Sequence, residues 1–334
     1  MPDQILMIKA TAVAGGLAAA LLLALTWPRP RASAVRVGVA WVLAIAVAFV
    51  AGAWMLGYRP SWPIAQDRDR LLLILLPAAV VIELLGSLRP ACGRWGRAAH
   101  WVLRLALAGT AGRILLYHTS YLTDLSGPGT RLWSRTDSWL WLKGMAAALL
   151  VDWVALTALA HRAKSGGSGA SGGSGGSGGR VIPLALALAI AGSALTIMLS
   201  GSLTTGQPAL ALAAALVGAT IASLLLPAAV ATTASLGVAL VIWFGLLVSG
   251  RFFAELTMAR AATLFFAPLL CWLPELLPAV RRRRPWVRAA TCLLLVAIPI
   301  AIVVFQAQRQ FAKDSAGGVD YGASGGDYSN FQSK

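Results

Sequence analysis

The sequence predicts an all-α fold: a polytopic transmembrane bundle of about ten helices. Two observations carry that prediction and a third organises it. Of 334 residues, 58% are apolar and 12% charged, about half the charged share of an ordinary soluble domain. Runs of mainly apolar residues recur along the whole chain, each near the roughly 20 residues that a helix needs to cross a hydrocarbon core of about 30 Å. The chain also shows an internal duplication, in which helices one to four resemble helices seven to ten.

The first helix is expected near 5–27. Met1 to Lys9 lacks the basic region of a signal peptide, and the apolar run that follows is too long for a cleaved one, so this helix is expected to stay as an anchor. The second spans 33–57. The third, 71–88, follows the mixed-charge run Asp67, Arg68, Asp69, Arg70 and carries Glu83. The fourth, 97–117, carries Arg104, and the fifth, 138–161, carries Asp152. Helices six and seven fall near 181–200 and 207–227. Pro227, Ala228 and Ala229 make a tight connection to the eighth, 230–252. The ninth, 259–279, contains Pro268, Pro274 and Pro278, which predict a bend, and the tenth runs near 286–308.

Between helices five and six, Ser165 to Gly179 contains only Ser, Gly and one Ala. Such a stretch buries no apolar surface and acts as a flexible tether spanning on the order of 20 Å; the same repeat resembles the tethers used in engineered fusions. The domain reading is a first half over 1–164, a linker over 165–180, a second half over 181–310 and a polar, disordered tail over 311–334.

The formal net charge is +16, which in a soluble protein would point to nucleic acid. Here the bases sit between hydrophobic runs, so the prediction is no nucleic acid and a lipid bilayer as the main partner. Arg29, Arg31 and Arg36, then Arg89, Arg94 and Arg97, then Arg162, Lys164 and Arg180, then Arg281 to Arg284 with Arg288, mark alternate loops that contain no acid. With cytoplasmic Lys and Arg setting orientation, both termini are expected on the extracytoplasmic side of a bacterial inner membrane. Arg281, Arg282, Arg283 and Arg284 also form a candidate contact for anionic lipid.

The duplication rests on matched residues. Ala10 to Ala40 lays without gaps on Ala209 to Ala239, bringing Pro28 onto Pro227 and Gly38-Val39-Ala40 onto Gly237-Val238-Ala239. Glu83 then matches Glu275, Arg68 matches Arg260, and Arg97 matches Arg288 with one residue of slippage. Four helices per copy and two between them make the repeats parallel, a plan used by some secondary transporters. Chance similarity in Ala/Leu-rich sequence explains the apolar matches more easily than the Glu, Trp and Arg ones.

Ionisable residues at hydrocarbon depth normally face other helices or a wet cavity and find a partner. Counting helical rise places Glu83, Arg104 and Asp152 within about 4 to 7 Å of the midplane. Two acids and one base leave a negative charge that a proton or cation would neutralise, which describes a coupling site. The structural alternative has Arg104 joining helices four and five through Asp152, with Glu83 reaching Arg97 or Arg89. Leu295 stands where Arg104 has its repeat match, and Glu275 is expected to pair with the Arg281 to Arg284 cluster.

The loop from His118 to Asp137 holds Tyr121, Asp124, Arg131, Trp133 and Arg135. These suit an anionic headgroup or substrate, and the aromatics among them equally suit an interfacial belt. His100, His118 and His161 are the only histidines, and none has ligand spacing, so neither haem nor metal is expected. The three cysteines, Cys92, Cys271 and Cys292, form no framework. No phosphate-binding glycine motif, GxSxG or HExxH is present, so no catalytic residue and no cofactor are predicted, and the chain is expected not to be an enzyme. Two functions remain: a permease-like transporter of a small solute or ion, and a membrane subunit scaffolding a larger complex. Small residues such as Gly15, Gly16, Ala18 and Ala19 suit close helix packing in either, including a homo-oligomer.

Overall fold

A computed structural model of the chain describes residues 4–26, 34–64, 66–88, 93–122, 134–165, 178–225, 233–277, 280 and 284–317. Among the described residues the chain is 89% helical without strands, and ten helices follow one another there. We number them α1 (Gln4–Thr26), α2 (Ala34–Met55), α3 (Asp67–Ser87), α4 (Gly93–Leu115) and α5 (Arg135–Ser165). After them come α6 (Gly178–Leu199), α7 (Leu203–Leu224), α8 (Thr233–Phe253), α9 (Met258–Leu276) and α10 (Pro285–Gly317). Eight are long and apolar enough to cross a bilayer. The two exceptions are α4, whose four arginines, Arg94, Arg97, Arg104 and Arg113, lower its hydropathy, and α9, which is interrupted.

Two helices depart from ideal geometry. In α3 an α-helical turn, Asp67–Arg70, leads into a π-helical turn, Leu71–Leu75, before the α-helix resumes over Leu76–Ser87. In α9, Met258–Phe266 passes into a 3-10 segment, Ala267–Cys271, and then Trp272–Leu276. Pro268 and Pro274 lack the N–H that a continuous helix needs, which accounts for the break expected there. Pro278 lies outside the described residues.

Helix ends extend beyond the apolar runs. Asp67 and Asp69 sit in the first turn of α3, where negative charge complements the exposed N–H groups. The last helix continues through Gln308, Arg309 and Lys313 to Gly317, because these residues favour helix whether or not lipid surrounds them. It therefore runs past the boundary at 310. The linker's central residues, 166–177, the connection 226–232 and the tail beyond 317 are outside the described residues.

The bundle is built around α8. In its most apolar window 83% of residues are buried, against 22% in α1 and α10, so α8 is a central helix and those two face outward along most of their length. It packs against α2, α3, α4, α5, α6, α7 and α9. Trp243 on α8 donates to Ser193 Oγ on α6 at 3.0 Å, and Trp272 on α9 donates to the Ala155 carbonyl on α5 at 3.2 Å. Both bonds satisfy an indole N–H in the interior.

The small-residue face of α1 is used within the chain. Ala10, Ala14 and Ala18 are fully buried, α1 packs on α7, and a Cβ at Gly218 would lie 2.0 Å from the Gly15 carbonyl oxygen. Backbones approach this closely only where side chains are absent. Gly16 faces open space.

Basic side chains cap neighbouring helices. Arg36 Nε donates to the Leu25 carbonyl in the last turn of α1 at 2.8 Å, and Arg180 Nη2 donates to Ser223 in the last turn of α7 at 2.9 Å. Each brings positive charge to a helix C-terminus, where unsatisfied carbonyls favour it.

Candidate functional site

Glu83 on α3 and Arg104 on α4 are 1% and 4% exposed. Arg104 Nε donates to Glu83 Oε1 at 2.9 Å and Nη2 to Oε2 at 2.8 Å, a two-point fork. This parallel geometry is the strongest arrangement available to guanidinium and carboxylate. The guanidinium also lies 4.9 Å from the ring centres of both Trp101 and Trp153, where the ring faces favour a cation. The charges of Glu83 and Arg104 are thereby neutralised inside the bundle.

Two glycines admit this cluster. A Cβ at Gly237 on α8 would stand 2.3 Å from Glu83 Oε1 and 2.8 Å from Trp153 Cζ2. A Cβ at Gly86 would stand 2.5 Å from His100 Nε2. His100 Nε2 approaches Glu83 Oε1 to 3.8 Å, too far for a hydrogen bond, and has no hydrogen-bond partner among the described residues.

Asp152, one residue before Trp153 on α5, is fully buried. Both of its carboxylate oxygens lack a hydrogen-bond partner among the described residues, and so does the hydroxyl of Thr157 further along α5. Helical geometry sets Asp152 about 100° around α5 from Trp153. The pairing differs from the simpler sequence reading: Arg104 is held by Glu83 rather than Asp152, and Glu83 turns to α4's interior rather than to Arg97. Arg97 is exposed at the start of α4, and Arg89 lies outside the described residues.

In the second half, Glu275 on α9 pairs with Arg288 on α10 at 3.5 Å, with side chains 16% and 23% exposed. Among the described residues its ion-pair partner is Arg288. Arg284 is exposed, while Arg281, Arg282 and Arg283 lie outside the described residues. No group of three or more metal-ligating side chains occurs among the described residues.

A second polar region, missed as a unit by the sequence, lies at the end of α3 opposite Glu83. A cleft of about 390 Å³ is lined by residues including Asp67, Arg68, Arg70, His118 and Thr119. These residues come from the start of α3 and the turn after α4. Of the loop singled out over His118 to Asp137, residues 123–133, including Asp124, Arg131 and Trp133, lie outside the described residues.

The eight long apolar helices fit a multi-pass membrane protein. No protein-family model matches the chain, and no curated protein is similar to it in sequence.

Proposed function

We propose that this protein is a permease-like transporter of a small solute or ion, with Asp152 as the charge on which movement depends and Glu83 with Arg104 as the neutral frame beside it. The observation that carries this reading is the Asp152 carboxylate: fully buried, within a membrane helix, and without a hydrogen-bond partner among the described residues. A charged Asp at the centre of a membrane helix costs about 2.5 to 3.5 kcal/mol on insertion scales, and such residues mark ion or proton pathways. A proton, a cation or a cationic group of the solute would offset that cost at one stage of the cycle.

The parallel duplication read from the sequence agrees with this proposal, since repeats related by an axis along the membrane normal suit a path between two halves. Glu83 and Glu275, each on the third helix of its copy and each paired with an arginine of the helix that follows, fit that symmetry. Orientation follows from the loops: Arg36, Arg97, Arg162, Arg180 and Arg288 lie at one end of the bundle, which we place in the cytoplasm of a bacterial cell, leaving both termini outside. The scaffold reading drew on the small residues of α1, and those at Gly15 and Ala18 are engaged by packing within the chain.

The test is accumulation from a mixture. Purified protein is reconstituted into liposomes, a pool of small polar and charged solutes is added outside with an imposed proton or sodium gradient, and vesicle contents are identified by mass spectrometry. Enrichment of one solute class over protein-free vesicles supports transport; contents matching the protein-free vesicles under both gradients contradict it.

A further inference from the structure

The cleft at the start of α3 has the construction of an anion site. Arg68 Nη2 donates to the hydroxyls of Thr204 and Thr205 at 2.9 and 3.2 Å, and its guanidinium lies 5.1 Å from the centre of the Tyr58 ring. These contacts orient the side chain without neutralising it. Among the described residues Arg68 has no carboxylate partner, and its Nε and Nη1 have no acceptor. A guanidinium edge with free donors matches the paired oxygens of a phosphate or carboxylate.

Arg70 adds a second fixed charge. It is buried, and its Nη1 donates to the carbonyls of Leu115, at 3.2 Å, and Tyr117, at the end of α4. Two acids are close by. Asp67 lines the cleft with the arginines, whereas Asp69 is engaged by Ser61, whose hydroxyl donates to Oδ2 at 2.7 Å and whose N–H donates to Oδ1 at 3.4 Å. Among the described residues the lining holds two guanidiniums, Arg68 and Arg70, and one carboxylate, Asp67.

Beneath the cleft Arg68 also lines a narrow void of about 20 Å³ with Tyr58, Thr205 and Ser249, room for about one water-sized group. The Tyr58 hydroxyl is buried there without a hydrogen-bond partner among the described residues. Tyr58 faces this void and Arg68 lines both spaces, so an oxygen of a group held on Arg68 that enters the void would offer the hydroxyl an acceptor.

The backbone around the cleft is irregular. The π-helical turn Leu71–Leu75 follows Arg70 directly, and His118 in the wall has φ of 55°. Left-handed geometry in a non-glycine residue is strained and clusters at ligand sites, as π-turns do.

We propose that this cleft binds an oxyanion group, a phosphate or carboxylate, held by the free edge of Arg68, with Arg70 supplying charge and Tyr58 a hydroxyl. The chemistry is shared by a free anionic solute and by the headgroup of an anionic lipid. Binding here stands apart from the permease reading, since it is measured without flux.

The experiment uses the full chain in a neutral maltoside detergent. Its thermal unfolding midpoint is followed while inorganic phosphate, acetate or phosphatidylglycerol is added at constant ionic strength, for wild type, Arg68→Gln and Tyr58→Phe. Wild type is expected to be stabilised in a saturable manner, Arg68→Gln to lose that response, and Tyr58→Phe to bind about tenfold more weakly through one lost bond to a charged group. A response to phosphate or acetate assigns a soluble anion; a response to phosphatidylglycerol alone assigns a lipid headgroup. The proposal is overturned if none of the three stabilises wild type, or if Arg68→Gln responds as wild type does. Should Arg68→Gln not fold, an unchanged affinity in Tyr58→Phe overturns it equally.

Discussion

Arg104 grips Glu83 with two hydrogen bonds of 2.9 and 2.8 Å, in a pocket where both side chains are almost wholly buried. Removing one member strands the other charge in the interior, which costs about 3 to 5 kcal/mol, whereas replacing both with apolar residues of similar size is often neutral. Glu83→Leu and Arg104→Leu should therefore each lower stability by about that much, and the double variant should regain most of the loss. Unfolding by sodium dodecyl sulfate in mixed micelles measures all three. Additive losses in the double variant would show that the two side chains act independently.

The α1–α7 contact gives a paired prediction. A methyl group at Gly218 meets the backbone of Gly15, while one at Gly16 meets nothing within 4 Å. Gly218→Ala must push two helices apart and should cost about 1 to 3 kcal/mol. Gly16→Ala should be neutral or stabilise by up to about 1 kcal/mol, since alanine favours helix over glycine. Thermal unfolding of the two variants side by side separates them, and equal midpoints would place α1 elsewhere on the bundle.

Much of this fold was legible because water-free surroundings demand long apolar helices, and their number and order follow from counting runs. The departures lie at ends such as Gly93, where Arg94 and Arg97 read as loop although α4 has already begun. The site was legible by depth but not by direction. Helical rise brought Glu83, Arg104 and Asp152 to one level, yet choosing between Glu83 and Asp152 as the partner of Arg104 requires knowing which way each helix turns. Helices such as α1 and α5, apolar around most of their circumference, carry little amphipathic signal from which to read that. The cleft around Arg68 was harder still, since Arg68, Thr205 and His118 are distant in sequence and come together only through packing.

Tyr58 supplies a pH prediction outside the membrane spans. Burial pushes its phenol up to about 12, against a smaller opposing pull from Arg68 and a further push from Asp67. A raised value means that its stabilising contribution is fully present below the ordinary value of 10.0 and is lost as pH rises towards about 12. In a spectrophotometric titration of the five tyrosines, Tyr58→Phe should remove a late-ionising component and leave the earlier ones. The same variant should flatten the fall in stability across that window. A titration whose late component survives the substitution would contradict the burial.

In the proposed transport function an intramembrane carboxylate without a hydrogen-bond partner among the described residues carries the movement of the solute, and Asp152→Asn isolates its contribution. The amide keeps the shape of the side chain and removes its charge, while Glu83 and Arg104 stay paired. Initial uptake of the solute class identified in reconstituted vesicles should be measured for wild type and Asp152→Asn at equal protein content, each shown to be monodisperse and equally stable. Gradient-driven uptake is expected to fall at least about a hundredfold, the scale of about 2.7 kcal/mol in a rate. Uptake by Asp152→Asn at the wild-type rate, in protein that is folded, would contradict that role for Asp152.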